Sequence, residues 1–282
     1  MRGPIIDLKS KPQLEQDMTL SEKCPTVELL GVKVCALRMS EVLDMADECI
    51  AKRNKLLVGI LNVAKIVNVR KDPLLRTSLD ESNIILADGV PIVWLSRMLG
   101  APLPERIAGI DLMYRLLERA SEKNYGIYLL GAKPEVVEKV VEIVKNSYLG
   151  LRVVGYRNGY FKQHEEYEVT KNINNSSADI LFVAISSPKK EAFLGRWRSS
   201  LNVPICHGVG GSFDVLAAVT KRAPLWMQKS GLEWLYRLIQ EPRRMWKRYL
   251  VTNIVFITLS INAIIRAKLC GLRNGSKMDI AD

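Results

Sequence analysis

Between Ile127 and His207 the chain repeats one rhythm: a short apolar run, a turn, a segment of helical spacing, then the next apolar run. Ile127–Gly131, Leu151–Gly155, Ile180–Ile185 and Val203–His207 read as strands, and Pro134–Lys145, Glu165–Asn174 and Pro188–Arg198 read as the helices between them. Apolar runs of this length joined by helices are the pattern of βαβ units around a mostly parallel sheet. Pro134 and Pro188 fall in first helical turns, where a missing N–H costs nothing. Four strands with three helical crossovers make a Rossmann-like half.

The same alternation begins earlier, from Val27. Leu56–Leu61 and Asn83–Ala87 are further strand candidates, and Met39–Arg53 and Gly109–Lys123 are helix candidates. In the latter, Leu112, Leu116 and Leu117 form an apolar stripe on one face. The expectation is an α/β protein: a Rossmann-like, mostly parallel sheet flanked by helices, with a helical C-terminal membrane-binding appendage. Its divisions are a disordered leader (1–26), an N-terminal α/β region (27–123), a nucleotide-binding region (124–220) and a basic amphipathic appendage (221–282). The first 23 residues mix charges with Pro4 and Pro12 and have no apolar run of signal-peptide length.

With 282 residues, the chain is long enough for a substantial core. Its net charge of +11 favours anionic partners without choosing among them. The distribution is more informative, because twelve basic and four acidic residues from Lys221 onward carry +8 of that total. Cys24, Cys35, Cys49, Cys206 and Cys270 are scattered and have neither metal-knuckle nor redox-pair spacing, which fits a reducing cytoplasm.

In such a sheet, ligands bind beyond the carboxyl ends of the strands. Three turns there suit a phosphate-bearing ligand: Leu130–Pro134 with Gly131 and Ala132, Ser186–Lys190, and the glycine-rich stretch His207–Asp214 with Gly210. The last is not G-x-G-x-x-G, and an ordinary tight turn explains it about equally well. Asp88 ends an Ile/Leu strand beside Gly89, so it is either a carboxylate offered at the sheet's rim or a helix N-cap.

Several segments carry a resemblance. Leu86-Ala-Asp-Gly-Val-Pro-Ile-Val-Trp94, Pro104-Glu-Arg-Ile-Ala-Gly-Ile-Asp111, Asn158-Gly-Tyr-Phe161, Ser187-Pro-Lys-Lys-Glu191, Gly208-Val-Gly-Gly-Ser-Phe-Asp-Val-Leu216, Arg222-Ala-Pro-Leu-Trp-Met-Gln228 and Gly231-Leu-Glu-Trp-Leu-Tyr-Arg-Leu-Ile-Gln-Glu-Pro-Arg-Arg244 occur in order and at natural spacing. Together they resemble the WecG/TagA/CpsF glycosyltransferase family over about Glu28–Leu250. The resemblance implies inverting, metal-independent transfer of N-acetylmannosamine or a related hexose from a UDP-sugar to a polyprenyl-diphosphate-linked saccharide. The products feed teichoic acid or surface polysaccharide synthesis at the cytoplasmic membrane face.

It further implies that Asp88 is the general base, with Asn62 and Arg106 beside it. Tyr160 and Asp214 would contact the nucleotide; the turns at the strand ends add Gly131, Ala132, Lys190 and Gly210 as candidates on their own position in the sheet. Arg237 and Arg244 would meet the lipid diphosphate, and Lys247 of the same basic run is a further candidate beside them. Three positions depart from the family pattern: Ile60 for a usual Thr, Lys190 for a usual Gln, and Ala218 for a usual Gly.

The chemistry has its own logic. An acceptor hydroxyl is a poor nucleophile, and a positioned carboxylate takes its proton as the new bond forms. The chain has no Asp-x-Asp and only His164 and His207, so no metal or other cofactor is expected, and cations and backbone N–H groups would stabilise the leaving UDP. Blander roles stand beside each residue. Asn62 is placed to cap the helix starting near Val63, Arg106 to pair with Glu105 or Asp111, Asp214 to sit in a helix's first turn, Tyr160 to be half-buried core, and His207 to be structural.

In the tail, Trp226, Trp234, Trp246 and Tyr249 interleave with basic residues, the composition of an interfacial helix on anionic membrane. Pro242 should divide it into separate helices. The apolar run Leu250–Ile265 has sixteen residues, fewer than the roughly 20 that span a bilayer. The same surface would also suit a homo-oligomer interface. The competing functional classes are a nucleotide-dependent oxidoreductase and a non-enzymatic binder of acidic lipid or nucleic acid. Nucleic acid is not an expected partner.

Overall fold

The computed structural model of the chain describes residues 24–275, so most of the expected leader lies outside the described residues. Six parallel strands form one sheet. They are β3 (Leu56–Leu61), β4 (Ile84–Ala87), β5 (Gly126–Gly131), β6 (Arg152–Arg157), β7 (Ile180–Ala184) and β8 (Ile205–Gly208), in spatial order β4-β3-β8-β7-β5-β6. A two-stranded antiparallel hairpin, β1 (Thr26–Leu29) and β2 (Val32–Cys35), precedes them.

The hairpin turn, Leu30-Gly31, takes positive φ at both residues, 52° and 84°. That is the backbone of the tight turns that match strand twist. The sequence reading did not resolve this hairpin, because its strands, TVEL and VKVC, mix polar with apolar residues and form no continuous apolar run.

The last strand in chain order, β8, lies in the middle of the sheet. Ile205 pairs with Leu56 of β3 on one side and with Ile180 of β7 on the other. The first two core strands are thereby joined to the later four in one continuous layer. Side chains alternate across it, as strand geometry requires. Leu56, Val58 and Ile60 pack with α1 (Met39–Lys52), α5 (Gly109–Lys123) and α6 (Pro134–Ser147). Leu57, Leu181 and Leu130 face α7 (Glu166–Asn175) and α8 (Lys189–Trp197) on the other side. With both faces covered, the strands are the near-continuous apolar runs seen in the sequence.

Local chemistry fixes the helix ends. Asn124 closes α5 in the left-handed conformation, and the valines at 136, 137, 140, 141 and 144 bury one face of α6. Element ends differ from the sequence expectation by only one or two residues.

Three helices stack near β4: α2 (Val63–Asn68), α3 (Pro73–Asp80) and α4 (Val90–Met98). The chain closes with α9 (Ser212–Leu216), α10 (Leu225–Lys229), α11 (Glu233–Gln240) and α12 (Pro242–Gly275). The break at Pro242 falls as expected. The apolar run, however, is not confined to sixteen residues. Met245–Leu269 forms 25 helical residues whose most apolar 18 have a mean hydropathy of 1.7, enough by length and composition to cross a membrane.

Basic residues near the ends of that stretch do not interrupt it, since long cationic side chains can fold along apolar surface. One side of α12 is docked. Phe256 is buried with Leu29, Ile66 and Ile92, and Met245 and Thr252 are also buried.

Candidate active site

Asp88 and Asn62 follow neighbouring parallel strands. β3 and β4 run in register to the pair Leu61 and Ala87, and the Asp88 N–H donates to Leu61 O at 2.8 Å. Both side chains therefore leave the same carboxyl edge of the sheet. Asn62 does cap α2, its Oδ1 accepting from Lys65 N at 3.0 Å. Asp88 does not cap α4: Gly89 is the N-cap, at φ 146°, and no side chain bonds the cap. With that structural duty absent, the carboxylate is available for another.

Asp88 keeps 31% of its side chain exposed and faces Arg106, whose Nε lies 3.7 Å from its Oδ1. Arg106 does not pair with Glu105 or Asp111. Its Nη1 donates to Gln228 O at 3.1 Å and its Nη2 to Glu233 Oε2 at 3.0 Å. The appendage thus reaches directly over the Asp88 edge. Arg222 Nη1 lies 2.6 Å from Asp111 Oδ1, and its Nε lies 3.8 Å from Glu233 Oε1. Gly231 packs so tightly on Val90 that an added Cβ would fall 2.9 Å from the valine side chain.

Electrostatics follow from this crowding. Desolvation raises the Asp88 pKa above the ordinary carboxylate value; Arg106 and Arg237 oppose the rise, while Glu233 and Asp111 add to it. A carboxylate shifted upward is a stronger proton acceptor than a solvated one.

The remaining candidates lie along the same edge. Connections leave β5 and β7 in opposite directions, which makes the gap between them a topological switch point. Gly131 has φ 130°, and a Cβ there would meet the Ala184 backbone at 2.4 Å. Ala132 follows at φ 56°, donating to Ala184 O at 2.9 Å and accepting from Gly159 N at 2.9 Å. The turns after β5, β6 and β7 are thereby laced together. Tyr160, 71% exposed, stands at this place and is not core. Lys189 braces the turn by donating to Gly159 O and Phe161 O at 2.9 and 2.5 Å.

Lys190 belongs elsewhere. Its side chain is only 12% exposed, with Nζ 3.2 Å from Glu191 Oε1, and it packs over Gly208. Burial pushes the Glu191 pKa up, but the neighbouring Lys190 charge and the Ser187 side chain outweigh this and leave it low. The ammonium is engaged with protein and not with the Tyr160 turn. Nearby His207 is wholly buried, its Nε2 bonded to Gly109 O at 2.8 Å, and desolvation lowers its pKa to about 4. That is a structural histidine.

Gly210, at φ 54°, opens the turn into α9, and Asp214 lies in that helix's first turn. Arg237 is half exposed, 4.0 Å from Glu233. Lys247 is exposed on α12, and Arg244 lies one turn earlier with its side chain outside the described ones.

The sequence reading missed Glu233 as a site residue and gave Arg222 only a place in the basic run. Their signal was faint, since neither separation in sequence nor residue type ties a tail glutamate to Arg106. Among the described residues, no three His, Cys, Asp or Glu side chains converge as a metal cage.

A parallel α/β sheet whose carboxyl edge offers a carboxylate at one end and a glycine-lined switch point at the other is a frame for group transfer from a nucleotide. Residues 27–269 match the model described as the Glycosyl transferase WecG/TagA/CpsF family. The chain belongs to that family and is a glycosyltransferase.

Two curated relatives share one name, N-acetylglucosaminyldiphosphoundecaprenol N-acetyl-beta-D-mannosaminyltransferase. The chain is 37% identical to the one from Bacillus spizizenii (strain ATCC 23059 / NRRL B-14472 / W23) over 180 residues, 64% of this chain and 69% of the relative. It is 41% identical to the one from Bacillus subtilis (strain 168) over 172 residues, 61% of this chain and 66% of the relative.

Proposed function

We propose that this glycosyltransferase moves N-acetylmannosamine, or a closely related hexose, from UDP to a saccharide carried on a polyprenyl diphosphate. The step is a single inverting displacement without a metal, serving teichoic acid or related surface polysaccharide synthesis. The observation that carries the reading is Asp88 itself: a carboxylate at the sheet's carboxyl edge that caps no helix and lies beneath the cationic appendage.

In this mechanism Asp88 removes the proton of the acceptor hydroxyl. The oxygen bonds to the anomeric carbon from the face opposite UDP, the carbon–oxygen bond to the diphosphate breaks, and its electron pair leaves with the β-phosphate. Asn62 and Arg106 hold the acceptor side of the site. The nucleotide lies toward Gly131, Ala132, Tyr160, Gly210 and Asp214, and Lys190 shapes the middle of the edge through its contact with Gly208. β4 and β5 are four strand spacings apart, roughly 19 Å at about 4.8 Å each, so an extended sugar nucleotide laid along the edge brings its sugar toward Asp88.

The division of labour along the chain follows: 27–123 supplies the base and acceptor-facing groups, 124–220 the nucleotide pocket and 221–282 the membrane element. The enzyme works peripherally on the cytoplasmic membrane face. Support comes from α12, where Trp246, Leu250, Ile254, Ile257, Ile261 and Ile265 are exposed at intervals of three or four residues, forming one apolar stripe. Arg237, Arg244 and Lys247 then lie near the lipid's diphosphate.

The test is a screen of UDP-sugars against a polyprenyl-diphosphate N-acetylglucosamine acceptor, with products read by mass. A product heavier by one N-acetylhexosamine from UDP-N-acetylmannosamine is expected. Acceptor left unmodified by every UDP-sugar would overturn the proposal.

A further inference from the structure

Glu233 stands where three guanidinium groups meet. Its Oε2 accepts from Arg106 Nη2 at 3.0 Å, and its Oε1 lies 3.8 Å from Arg222 Nε and 4.0 Å from Arg237 Nη2. These groups come from different parts of the fold. Arg106 lies on the loop between α4 and α5, Arg222 precedes α10, and Glu233 and Arg237 are one turn apart on α11. The side chains of Arg106, Arg222 and Glu233 keep 17%, 19% and 20% exposure, so this is a desolvated cluster and not a surface ion pair.

Hydrogen bonding in the cluster is incomplete. Nε of Arg106 and both Nε and Nη2 of Arg222 are buried without a hydrogen-bond partner among the described residues. A guanidinium carries five N–H donors in a rigid fork, and one carboxylate offers only two oxygens to three such forks. Buried donors are normally satisfied. The cluster therefore holds more donor capacity than Glu233 uses, in the planar geometry that suits phosphate oxygens.

We propose that Glu233 is an internal counter-anion: it occupies the arginine cluster while the site is empty and yields to the diphosphate of an incoming substrate. Glu233 is then a positioning residue that couples arrival of a diphosphate to release of Arg106, the neighbour of Asp88. Arg222, anchored on Asp111, contributes the unpaired donors that receive the ligand. The inference rests on the transferase reading of the Asp88 edge. A diphosphate ester is present in both the nucleotide donor and the lipid acceptor, and the two sources are separated below.

The experiment titrates inorganic pyrophosphate into the full chain at constant ionic strength and compares wild type, Glu233→Gln, Glu233→Asp and Arg222→Gln, with a thermal melt on each. Removing a competitor must tighten ligand binding. Glu233→Gln should bind pyrophosphate on the order of tenfold more tightly, the scale set by one charge-assisted hydrogen bond. Glu233→Asp, which keeps the charge but retracts it from Arg106, should also bind more tightly, and it decides the matter if the glutamine variant melts early. Arg222→Gln should weaken binding by a similar factor.

A merely structural pin predicts the reverse for Glu233. Binding that is unchanged or weaker in a normally melting Glu233 variant overturns the proposal. Displacement of pyrophosphate by UDP assigns the site to the donor, and displacement by a short-chain polyprenyl diphosphate assigns it to the acceptor. Tighter pyrophosphate binding with no sugar transfer by wild type would leave the counter-anion standing and remove the transferase reading. Transfer with no effect of Glu233 on pyrophosphate would do the opposite.

Discussion

Arg106 lies 3.7 Å from Asp88 with one edge of its guanidinium and 3.0 Å from Glu233 with another. One side chain thus connects the rim of the sheet to the first turn of α11. The base proposed for the reaction and the appendage proposed for lipid capture are not independent parts. The state of one alters the field at the other.

The first consequence is a pH dependence. The proposed base, Asp88, acts when ionised, and its pKa is raised by desolvation despite Arg106. The acid limb of kcat/KM should fall above the ordinary carboxylate range. Arg106→Ala should move it further up, because a charge that favours ionisation is gone. A limb that stays put in the variant would show that another group controls it.

The same shift bears on stability. A folded pKa raised above the ordinary 3.8 gives stability that is full below that value and lost as pH rises through the folded pKa. At neutral pH the ionised carboxylate is therefore a cost. Asp88→Asn should melt at or above the wild-type temperature at pH 7 and match it in acid. A clearly lower Tm at pH 7 would mean that Asp88 has a structural duty after all.

His207 gives a separate acid signature. Its ordinary pKa of 6.5 is lowered to about 4 in the fold, so the unfolded chain takes up a proton first and stability falls as pH drops from 6.5 toward 4. The full loss is on the order of 3 kcal/mol. Denaturant melts across that range should show it, and His207→Asn should flatten the slope while lowering stability throughout. An identical slope in the variant would assign the loss to other groups.

Gly131 tests the nucleotide side. Gly131→Ala forces a Cβ to within 2.4 Å of the Ala184 backbone at a φ of 130°. The turn must shift, costing about 1–3 kcal/mol. UDP affinity should fall, while pyrophosphate binding near Arg222, at the other end of the edge, should persist. Undiminished UDP affinity would place the nucleotide elsewhere.

The two sides of α12 separate the proposed membrane docking from folding. Ile254 and Ile261 are 55% and 51% exposed, whereas Phe256 is 7% exposed. Burying one isoleucine contributes roughly 1.5–3 kcal/mol. Ile254→Glu with Ile261→Glu should cut binding to anionic vesicles by two orders of magnitude or more without moving Tm. Phe256→Glu should lower Tm itself. Vesicle binding that survives the double change would point to a different covering for the stripe.

Much of the fold was legible because both faces of the sheet are covered, so its strands read as apolar runs; Gly109–Lys123 and Leu56–Leu61 have the same bounds in sequence and structure. Strand order was not legible. The insertion of β8 between β3 and β7 depends on long-range pairing that no local pattern encodes. Hairpin β1–β2 escaped because its strands mix polar with apolar residues, unlike the apolar runs of the main sheet. At the edge, motif positions pointed to Asp88 and Arg106, which the fold brings within 3.7 Å of each other, but local chemistry could not decide whether Asp88 was a cap. The backbone answered by giving Gly89 that place. Glu233 stayed hidden because its partner is 127 residues away.

The most direct test of the account is the rate at which Asp88→Asn transfers sugar from its UDP donor to the polyprenyl-diphosphate acceptor, measured with UDP affinity in parallel. Loss of a positioned general base predicts a fall of about 10²–10⁴-fold with UDP affinity retained. A variant that transfers at near the wild-type rate would contradict the account.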